Sequence, residues 1–130
     1  MAKGNVMFKA PIPILRSFDE QKAKEFYVGF LGFVIDWEHR FEENTPLYMQ
    51  VSCGKCVMNI SEHFGDASPG AHCRIEIDDV PEYCQLLNEK HYRNARPAYQ
   101  EMSWGTTDMS INDPFGNKIT FYAITKATQS

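Results

Sequence analysis

The stretch Trp104–Phe121, WGTTDMSINDPFGNKITF, indicates the fold more directly than any other part of the sequence. Apolar and polar side chains alternate on both sides of its centre, which is the period of a half-buried strand. At the centre, Pro114 fixes one φ angle and Gly116 is free to adopt a positive φ. The pattern predicts a strand, a tight turn and a second strand over residues 106–123. A hairpin alone is marginal in water, so this one requires a larger sheet.

Residues 6–61 predict the first of two modules. The opening stretch Val6–Arg16 is expected to be extended, but it contains two prolines, which cannot donate to a β-ladder, so we expect a strand that is interrupted or lies at a sheet edge. Apolar residues at helical spacing follow Ser17 and Asp19, either of which can cap the helix, and Gly32 is placed to end it. A strand over Phe33–Phe41 and a tight hairpin complete the order β-α-β-β-β.

Residues 71–124 repeat this order. His72–Ile77 alternates as a strand, and Asp79, with an acidic residue three positions later, resembles a capping box. The segment Tyr92–Ala98 is irregular or a short strand, and the final hairpin follows. We therefore predict a single α+β domain over residues 1–130, in which two βαβββ modules form a cupped, barrel-like mixed sheet with the helices outside.

Composition excludes several classes of protein. The chain has 130 residues and a hydrophobic content of 43%, which supports one core but contains no apolar run long enough to span a bilayer. The net charge is -4 and Lys and Arg do not cluster, so we expect no nucleic-acid partner. The N-terminus lacks the apolar segment of a signal peptide, so we expect a cytoplasmic protein with no membrane partner.

Four cysteines are present, and Cys53 and Cys56 form a Cys-x-x-Cys motif. A zinc ribbon would need a second such pair, which Cys73 and Cys84 do not supply. A thioredoxin-like site would need the motif at the N-terminus of a helix, whereas here it lies between two strand patterns. We interpret it as two reduced cysteines flanking a two-residue hairpin turn, in preference to metal or redox chemistry.

Strand parity assigns an apolar and a polar face to each predicted sheet. Alternate residues such as Ile75 and Phe121 suit the face that packs against a helix. Their neighbours then either face solvent, as in many antiparallel sheets, or line a cavity. The polar-face positions include Asn59, Ser61, His72, Arg74, Glu76, Lys118, Thr120 and Tyr122.

Three segments of the chain resemble the glyoxalase/bleomycin resistance protein/dioxygenase group, the vicinal-oxygen-chelate superfamily. They are FD, FY and LGF within Phe18–Phe33, HCRIEIDDV over His72–Val80, and WG followed by DPFGN within Trp104–Asn117. The resemblance covers about residues 6–124, nearly the whole chain, and is nearest to the bleomycin resistance proteins. The DPFGN turn is specific for the superfamily and says little about substrate.

The resemblance also identifies where a metal would lie. Enzymes of the superfamily hold a divalent ion on four inward positions, usually His, Glu or Gln, which here fall near Ile12, near Asn59, and on His72 and Thr120. His72 is the only good ligand among them, because Ile12 cannot coordinate and Thr120 replaces the usual glutamate. We therefore predict no metal, no cofactor and no catalytic residues, since the shared chemistry of these enzymes requires the ion.

Bleomycin resistance proteins are the metal-independent binders of the superfamily. They are acidic homodimers that enclose two grooves and exchange their first strand between subunits. The resemblance therefore implies a homodimer that sequesters a planar cationic antibiotic of bleomycin type, because aromatic walls and acidic rims suit such a ligand. For this chain, the simpler alternative is a first strand that stays at the edge of its own sheet and is not exchanged between subunits. The predicted ligand-binding residues are Trp37, Phe41, Tyr48, Asn59, His63, His72, Trp104, Thr120 and Tyr122.

Two other functions remain open at the level of sequence. One is a glyoxalase- or dioxygenase-like metalloenzyme, a lyase or dioxygenase that uses His72 as one ligand together with unconventional partners. The other is a regulatory or structural module whose pocket is packed shut by Trp37 and Trp104. Core packing is the alternative role for either tryptophan.

Overall fold

The computed structural model describes residues 5–125, which form eight strands and two helices. In chain order these are β1 (Ile14–Arg16), α1 (Glu20–Lys24), β2 (Val34–His39), β3 (Tyr48–Cys53), β4 (Cys56–Ser61), β5 (His72–Glu76), α2 (Val80–Glu89), β6 (Tyr99–Glu101), β7 (Thr106–Asn112) and β8 (Lys118–Ile124). Helix α1 continues as a π-helical segment over Glu25–Phe30. The element order is therefore βαβββ twice, as the sequence predicts.

The strands form two four-stranded mixed sheets with the same internal order. The first sheet has the order β1-β4-β3-β2, and the second has the order β5-β8-β7-β6. The first strand of each module runs parallel to its last strand, and the other pairs are antiparallel. The α+β fold with two modules is confirmed, but the sheets remain separate and do not close into a barrel. Closure requires a continuous ladder, and the edge strands β1 and β6 have only three residues each.

The first strand is shorter than the sequence predicts. Extended chain was expected over Val6–Arg16, but only Ile14–Arg16 pairs with β4. The ladder begins after Pro13 because proline has no N–H to donate, although the Pro13 carbonyl still accepts from the Asn59 N–H at 3.0 Å. Strand β1 lies at the edge of the first sheet, in agreement with the prediction.

Helix α1 begins and ends at residues that the sequence singles out. Asp19 is the N-cap, and its Oδ1 accepts from the Lys22 backbone N–H at 2.9 Å, whereas Ser17 is buried and does not cap. Gly32 follows the helix with φ +89°, the left-handed conformation that glycine adopts without steric cost.

Replacing Gly32 with alanine is expected to lower the free energy of unfolding by about 1–2 kcal/mol, because a Cβ is strained at positive φ. Space is not the cause, since the nearest atom to the added Cβ is Lys90 Nζ at 3.9 Å. Gly29 is the matched control, because it lies inside the helical segment without a positive φ, and alanine there should be neutral or stabilising. Urea denaturation measures the free energy of unfolding of both variants. Equal losses in the two variants would show that the positive φ of Gly32 is not the cause of the destabilisation.

One hydrophobic cluster runs through both modules. The predicted apolar faces are confirmed, since Met58 and Ile60 in the first sheet and Ile119 and Phe121 in the second are at most 2% exposed. Buried side chains from both helices join the same cluster, so the helices cover the apolar faces. The polar faces of the two sheets carry no helix among the described residues.

The turn of the opening hairpin is organised by the buried carboxylate of Asp113. Its Oδ1 accepts from the backbone N–H groups of Phe115 and Asn117, both at 2.8 Å. Its Oδ2 accepts from the Tyr27 hydroxyl at 2.6 Å and from Asn117 Nδ2 at 2.8 Å. Asn117 Nδ2 also donates to the carbonyl oxygen of Arg16 at 2.8 Å. The turn therefore connects the second module to the helix and first strand of the first module.

Burial raises the pKa of Tyr27 far above its usual range, and the negative charge of Asp113 and the hydrogen bond to it act in the same direction. The Tyr27 phenol therefore stays protonated at neutral pH and donates its hydrogen bond to Asp113. This contact joins residues 86 positions apart, so it fixes the two modules relative to one another.

The remaining elements agree with the sequence, with one shift. Asp79 caps α2, accepting from the Glu82 N–H at 3.0 Å, as its capping pattern predicts. The segment Tyr92–Ala98 is irregular, and the short strand that was its alternative lies just beyond it at Tyr99–Glu101. No helix in residues 5–125 is long and apolar enough to cross a membrane.

Candidate ligand-binding site

A bulge in strand β2 places Trp37 on the polar face of the first sheet. Ile35 pairs with Val51 in the core, but Trp37 pairs with Gln50, so one extra residue, Asp36, lies between the two registers. In a regular strand, Ile35 and Trp37 would lie on the same face, but the bulge places them on opposite faces. Trp37 is 42% exposed, so it is not a core residue.

Trp37 and Tyr48 form a stacked aromatic pair on this face. Their ring centroids are 5.8 Å apart and the ring planes differ by only 3°. His63 borders the pair, with its ring 6.4 Å from that of Tyr48. Parallel, partly exposed rings offer a flat apolar surface on which a planar ligand can stack.

Asn59 supplies a polar group beside these rings. Its Nδ2 donates to the Tyr48 hydroxyl at 3.0 Å. Its Oδ1 is buried and has no hydrogen-bond partner among the described residues. A buried acceptor without a donor is costly, so a ligand N–H that reached Asn59 Oδ1 would form a favourable hydrogen bond.

Asp36, the bulged residue, adds negative charge to the same face. Its carboxylate accepts from Gln50 Nε2 at 3.0 Å and from Ser52 Oγ at 2.9 Å. Gln50 and Ser52 were not predicted as site residues from the sequence. Their alternation with the buried residues of β3 would have placed them on the polar face. The first sheet thus combines stacked rings, an unpaired acceptor and a carboxylate, which suits a planar cation.

The polar face of the second sheet holds His72, Thr120 and Tyr122. His72 Nε2 lies 2.8 Å from Thr120 Oγ1, and Ser110 Oγ lies 2.7 Å from the same hydroxyl. His72 therefore takes part in a hydrogen-bonded chain with the hydroxyl groups of Thr120 and Ser110. Ser110 was not identified from the sequence, although its alternation with Met109 and Ile111 indicates the polar face.

These groups do not suit a divalent metal. One imidazole with two neutral hydroxyls is a weak donor set for ions that prefer carboxylate, imidazole or thiolate ligands. Among residues 5–125, no three His, Cys, Asp or Glu side chains come together as a metal site. Ile12, at another position implied by the resemblance, has no donor atom. The residues present therefore do not fit the metal of the superfamily's enzymes.

Arg74 and Asp108 form an ion pair beside Tyr122. The Arg74 guanidinium donates to Asp108 at 2.9 Å and lies 4.1 Å from the centroid of the Tyr122 ring. Burial opposes ionisation of Asp108, but hydrogen bonds from Arg74 and Thr106 outweigh it and hold its pKa below the usual range. The protein thus places a cation of its own on the Tyr122 ring, which sequence reasoning did not foresee.

Phe41 and Trp104 are highly exposed, at 81% and 65%. Phe41 follows β2, and Trp104 lies in the turn that precedes β7. Core packing, the alternative role for Trp104, does not occur. The predicted ligand-binding residues thus fall into three groups: Trp37, Tyr48 and Asn59 on the first sheet, with His63 just after β4 and bordering Tyr48; His72, Thr120 and Tyr122 on the second sheet; and Phe41 and Trp104, which lie outside the strands.

Two βαβββ modules with exposed polar faces define the vicinal-oxygen-chelate class of fold. The chain belongs to the glyoxalase superfamily, since a family model described as "Glyoxalase superfamily protein" matches residues 1–127. A search of curated proteins finds no significant match.

Solved structures with this fold include antibiotic-binding proteins. A bleomycin-binding protein complexed with bleomycin superposes with a TM-score of 0.70 and 21% identity, over 89% of this chain and 98% of that one. The bleomycin-binding protein of bleomycin-producing Streptomyces verticillus, complexed with copper(II)-bleomycin, superposes with a TM-score of 0.67 and 25% identity, over 91% of this chain and 98% of that one. A glyoxalase family protein from Enterococcus faecalis superposes with a TM-score of 0.66 and 18% identity, over 88% of this chain and 96% of that one. At these identities the likeness concerns the fold.

Proposed function

We propose that this protein is a homodimer that binds and sequesters a planar cationic antibiotic of bleomycin type, without a metal ion and without chemical turnover. The observation that carries the proposal is the exposed Trp37–Tyr48 stack, with the unpartnered Asn59 Oδ1 and the Asp36 carboxylate on the same face. Stacking provides contact area, the acceptor provides direction and the carboxylate favours a cation. The fold shared with two bleomycin-binding proteins supports the same ligand class.

The division of the polar residues between two sheets supports a dimer. Among residues 5–125, no helix covers either polar face, and each face is an open sheet surface that does not enclose a ligand by itself. A second copy that faces the first sheet of one chain with the second sheet of the other would unite the Trp37–Tyr48 stack with His72 and Thr120. Exposed apolar residues near the edge strand β1, including Met7 and Phe8, suit contact with that copy.

Isothermal titration with metal-free bleomycin, together with sedimentation velocity, tests the proposal. We expect saturable binding of one ligand per chain and a dimer in solution. No heat at high micromolar ligand would reject bleomycin as a ligand, and a monomer that still binds would reject the shared groove. Stoichiometric zinc, nickel, iron or manganese in protein purified without chelator would favour the metalloenzyme instead.

Removal of metal is expected to leave binding unchanged. Protein dialysed against EDTA and then into chelator-free buffer should bind metal-free bleomycin with the same affinity, because His72 is hydrogen-bonded to Thr120 and belongs to no cluster of metal-binding side chains within residues 5–125. The measurement is the dissociation constant before and after dialysis. A loss of affinity that added zinc restores would contradict metal independence.

A further inference from the structure

A cavity lies where the two modules meet, away from the polar faces of the two sheets. It has a volume of about 440 Å³ and lies between the β3–β4 turn, the end of β5 and the start of α2. Its apolar wall includes Phe33, Ile75 and Phe121. Four carboxylates and one cation, Lys55, also line it; the carboxylates belong to Glu76, Asp78, Asp79 and Glu82.

Two thiols line the same cavity, and the hairpin register pairs them. Cys53 and Cys56 are direct cross-strand partners on either side of a two-residue turn, and Gly54 in that turn has φ +59°. The predicted turn is thereby confirmed. Direct partners point to the same face of a sheet, and hydrogen-bonded partners have Cα atoms about 5.5 Å apart. A disulfide spans Cα separations of about 4.4–6.8 Å, so the backbone spacing expected for this pair lies within the range that a disulfide bridges.

We propose that Cys53 and Cys56 form a thiol–disulfide exchange site that reacts with small cationic disulfides. The Cys53 thiolate attacks one sulfur of the disulfide, giving a mixed disulfide and releasing one thiol. The Cys56 thiolate then attacks Cys53 Sγ, forming the Cys53–Cys56 disulfide and releasing the second thiol. The protein loses two electrons and two protons, and the small disulfide is reduced to two thiols.

Exposure assigns the two roles. Cys53 is exposed and can meet a reagent, whereas Cys56 is half-buried. Burial raises the pKa of Cys56 to about 11, with smaller contributions from Cys73 and Cys53, which makes Cys56 a poor nucleophile toward a free reagent. The second step is left to Cys56 because the hairpin register holds it beside Cys53. Cys84 is buried and its thiol donates to the Pro97 carbonyl at 3.4 Å, which leaves it poorly placed to compete.

Charge determines which disulfides react. Four carboxylates against one lysine around the cavity attract a cationic disulfide and repel an anionic one, an effect that salt screens. The charge pattern therefore favours cystamine over glutathione disulfide. This site is independent of the proposed antibiotic site, since the thiols lie on the apolar side of the first sheet.

Mass spectrometry of the intact, fully reduced protein after exposure to cystamine tests the proposal. Wild type should lose two hydrogens without a lasting adduct, and peptide mapping should join Cys53 to Cys56. Cys56→Ser should retain one cysteamine on Cys53, and Cys53→Ser should form no such disulfide. Cys73→Ser is the control and should behave as wild type. A lasting adduct on wild type, or a disulfide to another cysteine, would overturn the proposal.

Rates test the charge preference. Each rate is divided by the rate of the same disulfide with 2-mercaptoethanol, a neutral thiol, which removes differences in intrinsic reactivity between the two disulfides. Cystamine should then react at least about ten-fold faster than glutathione disulfide at low ionic strength, and the ratio should fall as salt is added. A ratio near one at all salt concentrations would reject a preference for cationic disulfides. Circular dichroism of each serine variant checks that it is folded, and Cys53→Ala replaces Cys53→Ser if that variant is not.

Discussion

Replacement of Asp113 by alanine is expected to lower the free energy of unfolding by about 3–5 kcal/mol. The side chain is only 6% exposed, and its carboxylate accepts four hydrogen bonds, from two backbone N–H groups, Tyr27 and Asn117. Alanine would leave those donors buried without an acceptor, which costs more than the bonds themselves contribute. The loss is a large share of the roughly 5–15 kcal/mol that stabilises a typical domain. Urea denaturation followed by circular dichroism measures it.

Two further variants show whether the loss arises at this contact. Tyr27→Phe removes one donor to Asp113 and should cost about 1–3 kcal/mol. Asp78→Asn removes an exposed carboxylate that has no hydrogen bond to another described residue, and it should change stability by less than about 0.5 kcal/mol. An Asp113→Ala variant as stable as Asp78→Asn would show that the turn does not hold the modules together.

Replacement of Trp104 by alanine is expected to weaken bleomycin binding by about 30-fold while leaving stability nearly unchanged. An exposed tryptophan at a binding surface commonly contributes about 2 kcal/mol or more when a ligand covers it. Its side chain makes little contact with the folded chain, so its loss should alter the free energy of unfolding by less than about 0.5 kcal/mol. Titration calorimetry and urea denaturation of the same preparation separate the two effects. This prediction depends on the proposed function.

Leu86→Ala is the control for loss of an exposed apolar side chain. Leu86 lies on α2 beside the inter-module cavity, away from both polar faces. Its replacement by alanine should therefore leave bleomycin affinity unchanged. Unaltered binding by Trp104→Ala would remove Trp104 from the site. Parallel losses of binding and stability would indicate a structural role.

The architecture could be read from the sequence because most of its signals are local. Asp19 and Asp79 cap helices through backbone groups three residues away, and Gly32 ends a helix through its own φ angle. The turn at Asp113–Asn117 depends in the same way on Pro114 and Gly116. Such preferences act within a few residues, so the order of elements follows from the chain itself.

The site could be predicted only in part, because its geometry depends on strand register. Alternation correctly assigned His72, Thr120 and Tyr122 to a polar face. Alternation along β2 would by itself place Trp37 on the same face as Ile35, so the direction of the Trp37 side chain required the bulge at Asp36, which depends on how β2 pairs with β3. The ion pair of Arg74 and Asp108 joins residues 34 positions apart and likewise requires the register of β5, β8 and β7.

Two βαβββ modules, the caps and turns that delimit them, and the apolar faces that form the core all follow from local sequence patterns. Periodicity and φ preference are properties of short segments and need no distant partner. Three features follow instead from the folded chain: the two sheets stay separate, Trp37 stacks on Tyr48, and Asp113 connects the modules through Tyr27. Each of these depends on contacts between residues far apart in the chain, which the packing of the whole core selects.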